Sequence, residues 1–403
     1  MDSADCFISR DLYLSQNLAL ITDNQIITYL QLFQRVEVCA EQLREWGVCS
    51  SDRVAIIAPN SVEFIIALLS LWSIKAIACP LSIRHPLQVL KNQLKEIDAY
   101  YLLTSDHGIL ESKEFSQAKQ DLIEIAGGTL HESGRTQPIN LEDSIESDAT
   151  ILFTSGSSAQ PKAALHTLGN HLWNAKGSNE YVPFTGDDSW LLSLPLYHVS
   201  GMSILFRALL AGGNVVLPKE NENVFQAIKK YKITHVSLVS TQLSKLLETD
   251  ATQLNLKVVL VGGSAIPESY LERAVNQKFP VYVTYGMTET ASQIATARYP
   301  QRAKILNYRN VKTSSSGEIL VSGKTVFRGY LKQQDLTQPF DREGWFATGD
   351  MGFVDDHGME VTGRRDNMFI SGGENIQPEE IETTQLVPMK HLAVSHKEHA
   401  SHF

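Results

Sequence analysis

The sequence predicts an α/β protein, built on parallel β-sheets with helices on their faces and followed by a smaller, distorted β region. Three observations carry that reading. Short apolar runs alternate with stretches of helical period from Thr28 to Tyr285. After Lys312-Thr313-Ser314-Ser315-Ser316-Gly317 the composition changes to short strand-like segments between turns. The chain has 403 residues, 43% hydrophobic and 20% charged, which fits more than one domain or one large composite domain.

Taken in order, Thr28-Tyr29-Leu30-Gln31 has the spacing of a capping box. Leu32, Phe33, Val36, Cys39, Ala40 and Leu43 then recur at helical spacing, predicting a helix over 29–46 that ends near Gly47. Asp52–Ile57 reads as a strand, and Pro59-Asn60-Ser61 as a turn into a buried helix, Phe64–Ile74. That apolar run is about half the length needed to span a bilayer. Ala76–Pro80 and Tyr100–Thr104 read as strands, and residues 105–149 are too polar for a firm assignment. Strands follow at Thr150–Phe153, Trp190–Leu194, Asn214–Leu217, His235–Val239, Val258–Val261 and Val281–Tyr285. Helices fall near 200–211, 222–231, 241–249 and 267–277, and Glu318–Val321 and Met359–Thr362 read as antiparallel strands.

Charge and cysteine usage exclude several classes. A net charge of −10 with no basic stripe argues against nucleic-acid binding, so any phosphate must be held by local groups. Cys6, Cys39, Cys49 and Cys79 lack the spacing of a zinc or redox site and read as reduced thiols. The start of the chain, MDSADCFISRD, is not a signal peptide. The expectation is a cytoplasmic protein without membrane insertion, with homo-oligomerisation left open.

The stretch Thr154–Lys162, TSGSSAQPK, follows an apolar strand and is dense in hydroxyls and small residues. Free amides in such a turn form an anion-binding concavity, and Lys162 adds a flexible point charge. An ordinary polar surface loop explains it about as well. It is not a Walker loop, because Gln160-Pro161 precedes the lysine and Ala163 follows it. Gly262-Gly263-Ser264-Ala265 and Tyr285-Gly286-Met287-Thr288-Glu289 each follow a buried strand, at the end where open parallel sheets place ligands. Thr348-Gly349-Asp350 offers a carboxylate for a diol, and Gly363-Arg364-Arg365-Asp366 offers fixed cations. Singly, each is as well explained as a turn or a solvated charge.

Their joint order resembles the adenylate-forming superfamily of acyl-CoA synthetases, luciferases and peptide-synthetase adenylation domains. The likeness rests on TSGSSAQPK, PLYHVSG, GGSAIP, YGMTE, TGD and GRRDNMFISGGENIQPEEIE, spread over residues 28 to 382. It implies that Thr154, Ser155, Gly156, Ser157, Ser158 and Lys162 hold the phosphates of ATP. Gly263, Ser264 and Ala265 would line the adenine, with Tyr285 stacked on it and Gly286 beside it. Thr288 would touch the α-phosphate, Glu289 would hold Mg²⁺, and Asp350 would accept the ribose hydroxyls with Arg364 nearby. Lys162, Thr288, Glu289 and His198 are the implied catalytic residues. Where the superfamily has glycine, this chain has Ala159; a positive φ there would strain it by roughly 1–2 kcal/mol.

The implied reaction activates a small carboxylic acid with ATP and transfers it to coenzyme A. The segment from Trp190 to Gly213, with SGGENIQPEEIE, looks most like ligases of menaquinone biosynthesis that use o-succinylbenzoate. Arg207 is the only charge on the apolar helix from Met202 to Leu210. A buried cation needs an anionic partner, and this acid carries a second, unreacting carboxylate. The alternative is that Arg207 snorkels outward or pairs with a protein acid. His198 and Gly262 would border the acid, although His198 also reads as a satisfied core histidine.

The resemblance divides the chain into a large domain, 1–365, and a segment, 366–403, with Asp366 as hinge. Superfamily members continue through a small α/β domain bearing a lysine; here 37 residues follow Asp366, and LVPMKHLAVSHKEHASHF from Leu386 fits no part of it. That implies a vestigial C-terminal segment with a disordered tail, slow adenylation and impaired transfer to coenzyme A. Two other functions stay open: an acid–thiol ligase for another aryl or fatty acid, and a non-catalytic nucleotide-binding remnant.

Overall fold

A computed structural model describes residues 8–105, 109, 121–124, 141–154, 161–220, 222–249, 254–367, 369–371 and 374–376. Local chemistry starts the elements where the sequence places them. The Thr28 hydroxyl accepts from Gln31 N, and Thr28 N donates to the Gln31 side chain, closing a capping box on helix Tyr29–Glu45. The next helix, Val62–Ser73, begins two residues before the expected Phe64 because Ser61 caps it through Phe64 N. From Val62 to Trp72 every residue except Glu63 is buried, so this helix lies inside the molecule.

Two large sheets enclose that interior. In one, the parallel strands Asp148–Phe153, Ile77–Pro80, Arg53–Ile57, Tyr101–Thr104 and Asp121–Glu124 lie side by side. In the other, Val281–Met287, Val258–Val261, His235–Leu238, Ser189–Leu191, Asn214–Val216 and Leu18–Ile21 form the parallel centre. Both carry antiparallel partners that the sequence reading did not foresee. Ala163–Thr167 pairs with Asp148–Phe153, and Ser292–Arg298 pairs with Val281–Met287. The smaller β region is an antiparallel four-stranded sheet. Its strands Glu318–Gly323 and Gly358–Arg364 do not pair with each other, because Phe346–Asp355 lies between them.

Other departures have physical causes. The strand expected over Trp190–Leu194 stops at Leu191: Ser193 N turns back to Leu191 O at 2.9 Å, just ahead of Pro195. Helix Leu168–Tyr181 shows only a narrow apolar stripe, Leu168, Leu172 and Ala175, because Asn170, His171, Asn174 and Ser178 beside it are buried polar residues that satisfy neighbouring groups. Helix Leu87–Glu96 falls in a stretch given no element by the sequence reading. Among the described residues no helix is long and apolar enough to cross a membrane.

The main core joins strands of both sheets to helices Tyr29–Glu45, Val62–Ser73, Leu168–Tyr181 and Val199–Ala211. The Tyr29 hydroxyl, fully buried, reaches Ala208 O at 3.0 Å and Gly213 O at 2.6 Å, tying the first of these helices to the end of the last. Trp72 stacks on Phe206 with centroids 4.8 Å apart, while its indole N–H donates to Ala149 O at 3.0 Å. Trp72→Ala removes both contacts and leaves a cavity, so it should lower unfolding stability by about 3–5 kcal/mol. The urea midpoint checks this; a loss under about 1 kcal/mol would mean the helical interior collapses onto the gap.

Candidate nucleotide and acid site

Neighbouring strand ends build the site. Thr154 ends the central strand and Lys162 precedes its antiparallel partner. Thr154 N donates to Lys162 O at 2.9 Å and Lys162 N to the Thr154 hydroxyl at 3.2 Å. Those two bonds close the base of the hydroxyl-rich turn. Ser155, Gly156, Ser157, Ser158 and Ala159 lie outside the described residues. The Lys162 ammonium stands 4.8 Å from the centroid of the Tyr330 ring.

Across the cleft, Val258–Val261 and Val281–Met287 run parallel and deliver Gly262–Ala265 and Tyr285–Glu289 to one rim. Gly263 holds φ +86°, a conformation only glycine takes without strain. At Gly286 a Cβ would lie 2.0 Å from Ser292 O, so only glycine fits against the hairpin partner at this register shift. Thr288–Thr290 forms a single 3₁₀ turn whose Thr288 carbonyl accepts from His166 Nε2 at 2.7 Å. The partner fixes the tautomer, because a carbonyl can only accept. Burial pushes His166 down to about 4, against the raising effect of its backbone bonds, and pushes His171 well below its ordinary value.

Asp350 is the meeting point of the rim. The Tyr285 hydroxyl donates to it at 2.6 Å and the Arg364 guanidinium at 2.8 Å. Burial, then the Asp350 charge, drives the Tyr285 phenol well above its ordinary value, so it remains a donor. Glu289 is nearly buried and accepts from the Tyr330 hydroxyl at 2.6 Å. Among the described residues no cluster of three His, Cys, Asp or Glu side chains assembles around it. A single carboxylate lining such a cleft would suit magnesium, which takes most of its ligands from waters and from substrate oxygens.

Arg207 lies deeper, on helix Val199–Ala211, and is 1% exposed. Its Nε donates to the Ser178 hydroxyl at 2.8 Å, one terminal nitrogen donates to Gln293 Oε1 at 2.6 Å, and the Trp190 ring lies 5.0 Å away. It neither snorkels to the surface nor pairs with an acid side chain among the described residues. Burial, and then the nearby Arg309, pulls the guanidinium down to about 9, leaving it charged at neutral pH. His198 is exposed at the start of that helix, which rules out the core-histidine reading. Burial of its ring in part, then His85 and Arg84, lowers its pKa.

One cleft of about 1310 Å³ is lined by Thr154, Lys162, His198, Arg207, Gly262, Gly263, Ser264, Ala265, Tyr285, Gly286, Thr288, Glu289, Asp350 and Arg364. Every described residue that the sequence singled out for the site therefore meets there. Sequence reasoning missed Tyr330, Gln293, Ser178 and His166, whose parts depend on what they touch. His166 alone had a signal, as a histidine in the strand after the phosphate turn.

Residues 14–331 match the AMP-binding enzyme family. The 2-succinylbenzoate–CoA ligase of Bacillus licheniformis is 32% identical over 96% of this chain and 84% of its own length. Two solved structures of o-succinylbenzoate coenzyme A synthetase from Bacillus subtilis superpose closely. The complex with ATP and magnesium has a TM-score of 0.81 at 30% identity, covering 92% of this chain and 82% of the other. The complex with the acyl-adenylate OSB-AMP has a TM-score of 0.80 at 31% identity, covering 92% and 80%. The chain belongs to the AMP-binding enzyme family.

Two outcomes follow from this geometry. Asp350→Ala strips Tyr285 and Arg364 of a shared charged acceptor and should weaken ATP binding by about tenfold or more in calorimetry; unchanged affinity would remove Asp350 from the nucleotide site. His166 is neutral when folded, whereas the unfolded chain takes up a proton below the ordinary value of 6.5. Stability should therefore fall as pH drops from 6.5 towards about 4, by up to about 1.4 kcal/mol per unit for that proton. His166→Gln should flatten the slope of urea stability against pH.

Proposed function

We propose that this AMP-binding enzyme joins o-succinylbenzoate to coenzyme A through an acyl-adenylate, the ligase step of menaquinone biosynthesis. The observation that carries the choice of acid is Arg207. A guanidinium taken out of water with only neutral partners is a strong attractor for a ligand carboxylate, and it lines the cleft that also holds Lys162, Glu289 and Asp350. An acid with one carboxylate would leave that charge unmatched once its only anion had reacted.

The chemistry begins with two anions that repel, the attacking carboxylate and the α-phosphate. In this reading Asp350 and Arg364 fix the ribose, Tyr285 and Gly263–Ala265 enclose the adenine, and Lys162 with Thr154 draws in the phosphate tail. Thr288, held by His166 through its carbonyl, presents its hydroxyl to the α-phosphate. Magnesium bound to Glu289 and to phosphate oxygens would offset the charge of the leaving pyrophosphate. The carboxylate oxygen bonds to phosphorus as the bond to pyrophosphate breaks, and positioning with charge neutralisation lowers that barrier. The sulfur of coenzyme A then attacks the acyl carbon, and AMP leaves with the bonding pair. His198, exposed at the acid end, borders the entry to that carbon. In this reading residues 1–365 are the large domain, Asp366 is its hinge, and the protein works in the cytoplasm.

Mixing the protein with ATP, Mg²⁺ and o-succinylbenzoate should yield the acyl-adenylate by mass spectrometry. No adenylate with this acid, alongside adenylate from a simple aryl or fatty acid, would overturn the assignment. Arg207→Ala should raise KM for o-succinylbenzoate by at least about thirtyfold, since one partner of a desolvated charge pair is lost. An unchanged KM would detach Arg207 from the acid.

A further inference from the structure

We infer that Gln293 is a specificity-positioning residue: it holds the Arg207 guanidinium with a neutral acceptor, so that the balancing negative charge must come from the substrate. The inference rests on the reading of Arg207 as the site of the unreacting carboxylate. Gln293 is 2% exposed, borders the cleft, and receives Arg207 on Oε1 at 2.6 Å.

Its orientation is dictated by its other end. The Thr284 hydroxyl donates to Ala295 O at 3.1 Å, and the Thr296 hydroxyl donates to Thr284 Oγ1 at 2.8 Å. Each hydroxyl has one proton, and both are committed. The two oxygens can then only accept from Gln293 Nε2, which reaches Thr284 at 3.1 Å and Thr296 at 2.7 Å. With the amide nitrogen held there, the amide oxygen must face Arg207. A glutamate of the same size would lose the two amide bonds to the threonines, keeping at most a proton turned away from Thr284, and would neutralise the guanidinium from within the protein.

The surroundings keep the charge uncompensated. Arg309, also buried, donates to the backbone oxygen of the same Gln293 at 3.0 Å and to those of Asn307 and Asn174. Glu180 favours the Arg309 charge without forming an ion pair with it among the described residues. Two guanidiniums thus flank one neutral residue, and among the described residues neither forms an ion pair with an acid side chain.

The test compares o-succinylbenzoate with benzoylpropanoate, the same skeleton without the ring carboxylate, by pyrophosphate release. The unaltered protein should prefer the diacid. In Gln293→Glu the ratio of kcat/KM for diacid over monoacid should fall by about thirtyfold or more, through KM for the diacid. Gln293→Met, which keeps the volume and loses the acceptor, should lower the same ratio by about tenfold, with ATP affinity by calorimetry unchanged in both variants. Equal losses for both acids, or an unchanged ratio, would overturn the inference and leave Gln293 a structural residue. If Gln293→Glu fails to bind ATP because it misfolds, the ratio in Gln293→Met decides alone. An unaltered protein that does not distinguish the two acids would instead sink the Arg207 reading, and this inference with it.

Discussion

A guanidinium withdrawn from water must be met by acceptors, and the way Arg207 is met organises the deep end of the cleft. Neutral groups take its hydrogen bonds: a hydroxyl from helix Leu168–Tyr181 and an amide from strand Ser292–Arg298. Those two contacts engage two of its five N–H groups without cancelling the charge. The same helix buries other polar residues for other partners. Asn174 donates to Thr290 O and Gln293 O, and Asn170 to Lys324 O and Val326 O, stitching the helix to the hairpin and to the chain beyond it.

The hairpin formed by Val281–Met287 and Ser292–Arg298 is the shared wall of the two halves of the cleft. Its first strand and the turn after it carry Tyr285 and Glu289, bonded to Asp350 and Tyr330, and its second carries Gln293, bonded to Arg207. Gly286 permits their close approach at the register shift. Positions on one rigid hairpin can align a phosphorus and a carboxylate more closely than separate loops could. His166 braces the turn from below, and its neutral state costs the protein stability only under acidic conditions.

The nucleotide end uses another arrangement. Asp350, Tyr285 and Arg364 form a closed triad in which the carboxylate is flanked by a phenol and a guanidinium, and Thr348 anchors its strand through Ile319 O. Glu318 ties the neighbouring Gly349 N and Arg365 into the small sheet. The small β region is thereby a platform for the carboxylate rather than a separate module. Glu289 and Lys162 meet through Tyr330, whose hydroxyl and ring face touch one each.

The sequence by itself determined the α/β class, most parallel strands of both sheets and the chemically distinctive groups of the cleft from Thr154 to Arg364. These follow from local signals: apolar runs, a capping box, glycine at strand ends, and motifs whose order survives without a structure. It did not reveal helix Leu168–Tyr181 or the antiparallel strands Ala163–Thr167 and Ser292–Arg298, because their polar residues are satisfied by partners distant in the chain. The roles of Gln293, Tyr330, Ser178 and His166 were decided only by tertiary structure. A neutral amide reads as an ordinary surface residue until folding sets it against a buried cation and two committed hydroxyls, since hydrogen-bond direction is a property of the assembled neighbours.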